Sequence, residues 1–223
     1  MGLGDLSAKY ESNGNPATVS TGYGDLGGIS YGAYQLASAE GSVDEFIEWG
    51  LEQRGFYNDY ARALYNSGDV NSALFIDQWK ELGAIDPQGF KAMQYDYIKY
   101  AYYDRAVERL KRNLFDIDKH SDTLKDVLWS RAVQYGDKYG VDLFIEALQF
   151  IPGYTEEWNL SYVDHIRFDY DLIAGIYRAN STDEWISPKL APDVYEGVYD
   201  RMRNEKREAL DMLIDELKER GLL

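Results

Sequence analysis

The sequence predicts a mainly α protein of the α+β kind, in which helices pack around one long central helix and a small β-hairpin stands near the N-terminal end. Three observations predict it. An apolar stripe at helical spacing runs from Asp86-Pro87 to about Asn113, seven shorter amphipathic segments surround it, and one glycine-dense turn lies between two β-prone runs.

In chain order, the first element is a short helix that stops near Ser12. Asn13-Gly14 suits a left-handed C-cap there, and Pro16 cannot continue the helix. Next, Ala17-Thr18-Val19-Ser20 and Gly28-Ile29-Ser30-Tyr31 flank the turn Thr21–Gly27, which reads as a hairpin. Amphipathic helices follow at about Asp44–Gln53, Tyr57–Tyr65 and Val70–Leu82. Asp86 then caps, and Pro87 opens, the central helix, whose stripe is Phe90, Met93, Tyr97, Tyr100, Ala101, Ala106 and Leu110. The remaining helices are Asp122–Tyr135, Val141–Phe150, Leu160–Ala179 and Pro192–Arg220, the last with charges of alternating sign at Arg201–Arg220 that suit an exposed, ion-paired face. Without internal repeats or a linker, residues 1–223 read as a single catalytic domain, with 1–42 carrying the catalytic helix and hairpin and 43–223 the helical body.

Composition narrows the function. Aromatic residues make up 15% of the chain, 20 of them Tyr, which argues for a folded protein with many flat, half-polar rings. The absence of Cys excludes disulfides and thiol catalysis, and His120 and His165 have no second ligand at metal spacing, so no metal and no cofactor are expected. The carboxylate clusters Asp116, Asp118 and Asp164, Asp169, Asp171 lack the glycine and terminal Glu of a calcium loop and read as solvated faces. A net charge of −16 repels nucleic acid and anionic lipid and favours a neutral or cationic ligand. Met1-Gly2-Leu3-Gly4 has no basic or apolar leader, and no apolar run is long enough to span a bilayer. Neither a secretory signal nor membrane insertion is expected, so an extracellular target requires separate delivery.

The candidate chemistry starts at Glu11. A carboxyl group in a last helical turn is disfavoured as an anion, and partial burial against aromatics would raise its proton affinity further. Asp25 sits instead in a polar glycine turn, so the two carboxyl groups lie in unlike environments, as glycosidic cleavage by an acid and a base requires. A separation of about 6.5–9.5 Å leaves room for water and gives inversion, which this reading favours, whereas roughly 5 Å permits a covalent intermediate. Asp25 equally suits a turn residue bonded to its own backbone. Tyr23, Tyr31 and Tyr34 offer faces for sugar rings, although Tyr34 equally suits the core. Gln35 bonds either substrate or the hairpin backbone. Gln134, in an apolar helix with Val127, Leu128, Ala132 and Val133, is expected to be a buried amide, lining a cleft floor or bonding backbone.

These residues carry a resemblance. Glu11-Ser12, Asn15-Pro16 and the stretch Gly28-Ile29-Ser30-Tyr31-Gly32-Ala33-Tyr34-Gln35-Leu36 resemble the lysozyme-like superfamily, most closely phage endolysins, tail-associated muramidases and spike-effector domains near the chitosanases. Asp25-Leu26-Gly27-Gly28-Ile29-Ser30 is similar to the chitosanase pattern of an Asp five residues before a hydroxyl residue, with Ser30 where threonine is common. Residues 127–136 and 197–206 resemble later segments of the same lysins. The resemblance implies a lysozyme-like fold whose hairpin flanks an active-site cleft and whose Gly-aromatic-Gln stretch, here Gly32 to Leu36, opens the next helix. It implies Glu11 as general acid, Asp25 as base and Ser30 as a group that orients water. The implied partner is peptidoglycan or a related amino-sugar polysaccharide, met at the cell wall after delivery by holin, virion or injection machine, the chain being part of a larger phage or secretion-machine protein. Three rivals remain open: a chitosanase steered by its acidic surface toward a polycation, a lytic transglycosylase using Glu11 alone, and a non-catalytic wall-binding or structural module.

Overall fold

The computed structural model describes residues 3–4, 6, 14–20, 28–187 and 191–223. It is mainly helical with one two-stranded sheet. The chain forms two compact units, Ser7–Ala101 and Met1–Leu6 with Tyr102–Leu223. No helix among the described residues is long and apolar enough to cross a membrane.

In the Ser7–Ala101 unit, strands β1 (Ser30–Tyr31) and β2 (Leu36–Ala37) pair antiparallel, Ser30 opposite Ala37 and Tyr31 opposite Leu36. Four helices follow: α1 (Ser42–Glu52), α2 (Phe56–Asn66), α3 (Ala73–Ile85) and α4 (Pro87–Ile98). Local chemistry sets their starts. The Ser72 side chain accepts from the Phe75 N–H at the head of α3, and Asp86 accepts from Gly89 N–H while Pro87 fills the first turn of α4. Phe46, Phe75, Trp79, Phe90 and Met93 are fully buried. Their rings meet mostly edge to face, Trp79 on Phe90 at 4.9 Å and Tyr31 on Trp79 at 5.1 Å, the arrangement that the aromatic quadrupole favours.

The expected unbroken helix from 86 to 113 is corrected to α4, a π-helical segment Lys99–Tyr103, and α5 (Asp104–Arg112). The reason lies in the stripe itself. Buried Ala101 and Ala106 are five residues apart, as are buried Ile98 and Tyr103, and the wider π turn keeps such pairs on one face. Tyr100, expected in the stripe, is 49% exposed.

The second unit is built from α5, α6 (Asp122–Ala147), α7 (Asp169–Ala179) and α8 (Pro192–Glu219). Ser121 caps α6, and Glu216 of α8 adds further acceptors there, taking the N–H groups of Asp122 (2.8 Å) and Thr123 (2.9 Å). Helix α6 breaks at Gly136 (φ 82°, ψ 163°), between the two helices expected at 122–135 and 141–150. The expected helix from Leu160 begins instead as two short 3-10 turns, Leu160–Val163 and Ile166–Phe168, before α7. In α8 a stripe of Met202, Glu205, Ala209 and Leu213 has no exposed surface. The run from Arg201 is therefore only half solvated, and one of its carboxylates is core.

Candidate functional site around the N-terminal hairpin

Glu11, Asp25 and Tyr23 lie outside the described residues. What the structure describes is the frame that the chain enters on either side of them. The run before the glycine turn lies antiparallel to β1: Val19 bridges Tyr31, Ser20 N–H donates to Ser30 O at 2.9 Å, and Gly32 N–H donates to Thr18 O at 2.7 Å. On its other side β1 pairs with Leu36–Ala37, which the resemblance placed at the opening of the next helix. That expectation is corrected. The turn from Gly32 (φ 78°) to Gln35 (φ 54°) reverses the chain, and a helix running through residues 32–36 could hold neither positive φ value.

Each expected hairpin residue has a definite place. Ser30 is 7% exposed, its N–H donates to Ser20 Oγ at 2.8 Å, and its own hydroxyl has no hydrogen-bond partner among the described residues. Tyr31 has no exposed surface. Its hydroxyl donates to Asn71 Oδ1 at 3.0 Å and its ring packs on Phe75 and Trp79, so it belongs to the core and presents no face to a sugar. Burial raises its phenol pKa, against a backbone hydrogen bond from Asn71 that lowers it. Tyr34 is 9% exposed and tilts against Tyr95 at 6.4 Å. Gln35 Nε2 donates to Gly32 O at 2.9 Å, so of the two roles open to it the backbone bond is the one made.

The residue that sequence reasoning missed is Gln94. It is 1% exposed, accepts the Ala33 N–H at 2.9 Å and donates to Pro16 O at 3.1 Å. Trp79 Nε1 donates to the same carbonyl at 2.9 Å, and Gly83 of α3 lies so close to Ala17 that a Cβ there would collide with it. One amide on α4 thus ties the hairpin turn to the segment that leads back to Glu11. The only signal was a polar residue beside Met93 in an otherwise apolar stripe.

Gln134 stands on α6 of the other unit. It is exposed, which corrects the expectation of a buried amide, because the helix turns this position outward just before the break at Gly136. The expectation of solvated Asp faces also fails at two positions. Asp169 has no exposed surface: it holds His120 Nδ1 at 2.6 Å and accepts the Ser121 N–H at 2.7 Å, while His120 stacks on Phe115 at 4.2 Å. Asp164 accepts from Lys119 Nζ at 2.5 Å and from the Asp116 N–H at 2.8 Å. His165 accepts the Arg167 N–H within its own turn. No cluster of three or more His, Asp or Glu side chains able to hold a metal occurs among the described residues.

The same unit encloses a charged pair. Arg131 and Glu205 have no exposed surface; Arg131 Nη2 donates to both Glu205 oxygens at 2.8 Å, and Nη1 donates to Asn180 Oδ1. Burial alone would lower the Arg131 pKa, and attraction to Glu205 overcomes it and raises it.

Residues 3–206 match the family described as type VI secretion system spike protein VgrG3-like, C-terminal. The chain belongs to this family. It is also 28% identical over 219 residues to the type VI secretion system spike protein VgrG3 of Vibrio cholerae serotype O1, an alignment that covers 97% of this chain and 19% of that protein. The chain therefore spans about a fifth of the length of the curated relative it matches. These findings correct the resemblance to phage endolysins and the lysozyme-like superfamily: the family shown is a secretion-system spike domain. The matched region of this VgrG3-like domain takes in the hairpin, Gln94, Arg131 and, next to its end, Glu205.

Proposed function

We propose that this VgrG3-like domain is a glycoside hydrolase that cuts the glycan strand of peptidoglycan, with Glu11 as general acid, Asp25 as base and Ser30 orienting the attacking water. The observation that carries the reading is the state of Ser30. Its backbone is bonded to Ser20 on one side and paired with Ala37 on the other, yet its hydroxyl is left uncommitted among the described residues. A fixed and unspent hydroxyl five positions after an aspartate is what a water-orienting group needs. Gln94 supports the reading by holding the turn and the Pro16 segment in one geometry, since acid and base must keep their separation for in-line attack. Tyr34 and Gln35 border the substrate in this reading, and residues 1–223 act as one catalytic domain.

Family membership supports the place of action. A domain carried by a secretion-system spike is one that an injection machine delivers, which supports a target beyond the producing cell. A second reading, cleavage of chitosan, is favoured by one observation, the net charge of −16, which would steer a polycationic glucosamine chain toward the protein. The deciding test is Glu11→Gln. Loss of wall digestion with an unchanged helical circular dichroism spectrum is expected, and retained digestion places the acid elsewhere.

A further inference from the structure

The segment between Ile151 and Asp164 displays three aromatic residues at four-residue intervals, Tyr154, Trp158 and Tyr162. Each closes a turn by donating its N–H to the carbonyl three residues earlier: Tyr154 to Ile151 at 3.1 Å, Trp158 to Thr155 at 2.9 Å and Tyr162 to Asn159 at 3.1 Å. The rings form one assembly. Trp158 and Tyr162 stack at 5.5 Å with planes only 5° apart, and Tyr154 meets Trp158 edge-on at 6.1 Å. Buried Ile151, Leu160 and Val163 anchor the segment, yet Tyr154 is 37% exposed and Tyr162 53% exposed. Neither tyrosine hydroxyl bonds another described residue. The chain thus holds a ring rigid and leaves its outer face in water, an arrangement that costs hydrophobic burial and gains only a preorganised surface.

The surroundings identify the occupant. The other exposed side chains here are Pro152, Thr155, Glu156, Glu157, Asn159 and Ser161, and the segment carries carboxylates but no Lys or Arg. That charge repels nucleic acid, the other polymer that stacks on rings. Exposed Glu156, Glu157 and Ser161 around the rings are residue types depleted at the centre of a protein interface. Hydroxyl, amide and carboxylate groups around a flat ring match the equatorial hydroxyls and apolar face of a hexopyranose. We propose that Tyr154, Trp158 and Tyr162, on the unit that does not carry the hairpin, form a platform that binds N-acetylated hexosamine units of a glycan strand. The choice of polymer rests on the hydrolase reading; the stacking geometry does not.

Binding is measured by titration calorimetry with an N-acetylglucosamine tetramer, using the whole chain with Glu11→Gln so that no probe is consumed. Tyr162→Ala is expected to weaken binding by about tenfold or more, and Tyr162→Phe, which keeps the ring, to stay within about threefold. Because Tyr162 is half in solvent, circular dichroism should be unchanged in both. Equal affinity of Tyr162→Ala and its parent, or no affinity in the parent, overturns the platform. Cosedimentation with sacculi, intact or stripped of stem peptides by an amidase, separates glycan from peptide: binding that needs the stems also overturns it. Tetramer binding by the Glu11→Gln chain, where the unaltered protein cuts no wall, sinks the hydrolase reading and leaves the platform standing.

Discussion

Removing the Glu205 carboxylate should unfold the α6–α8 packing more than any surface change, and the structure sets the size. In Glu205→Leu, Arg131 Nη2 loses both acceptors at 2.8 Å and Ser130 Oγ loses its acceptor at 2.5 Å, while Arg131 Nε already has no partner among the described residues. The guanidinium keeps its proton and stays where solvent does not reach, with Asn180, Met202 and the Ser130 hydroxyl as its remaining hydrogen-bond partners and the Tyr177 ring 5.0 Å from its Cζ. A stranded buried charge costs about 3–5 kcal/mol, which for a chain of this length lowers Tm by roughly 10 °C. The control is Arg131→Met with Glu205→Leu, in which both charges leave together. That pair should recover most of the loss, because two desolvation costs vanish with the attraction. Urea titration followed by far-ultraviolet circular dichroism compares the three proteins. A single variant destabilised by less than about 1 kcal/mol, or a double variant no better than the single, refutes the reasoning.

Further outcomes follow from other sites. Gln94→Leu removes the bonds that Gln94 makes with the Ala33 N–H and with Pro16 O, and should cost about 1–3 kcal/mol while slowing wall digestion, read by denaturant titration and turnover. Glu146 is raised first by burial and then by Glu184 and Asp142, against the Trp185 Nε1 bond that lowers it. The folded state holds that proton more tightly than the unfolded chain, so its contribution is present at low pH and is lost as pH rises through the raised pKa. Glu146→Gln should flatten stability against pH just above the usual carboxylate range, with a gain under about 1 kcal/mol at neutral pH after solvent screening. Burial pushes Asp164 up, but the bonds from Lys119, Asp116 N–H and His120 outweigh it and leave its pKa lowered. Its contribution is present at neutral pH and is lost as pH falls through that lowered pKa. The stability gap between the protein and Asp164→Asn should therefore close in acid, below about pH 4.

Much of the helical frame was legible because its signals are local. Asp86-Pro87 marked a helix start that the structure caps through Gly89, and Gly136 parted two apolar periodicities where the backbone breaks. The π segment was legible in principle from the five-residue step between Ala101 and Ala106, but a stripe read at period 3.6 absorbs one such step without notice. The hairpin was half legible. β-prone residues at 17–20 and 28–31 do lie side by side, whereas Leu36–Ala37 pairs with β1 because Gly32 and Gln35 turn back at positive φ, which Gln35 does not advertise. Partners far apart in sequence stayed hidden. His120 with Asp169, Arg131 with Glu205 and Gln94 with Pro16 are separated by 49, 74 and 78 residues, so local patterning read their charges as solvated and their amide as incidental. The same limit explains Tyr31, whose β-strand position looked like a ligand face until Phe75 and Trp79 were packed on it.

The most direct measurement is mass spectrometry of the products released when the protein and its Glu11→Gln variant are each incubated with purified peptidoglycan and, separately, with chitosan. The account predicts muropeptides bearing new reducing ends from peptidoglycan with the unaltered protein, and none from the variant. Anhydro-sugar products, products from chitosan alone, or the same reducing ends from both proteins would contradict it.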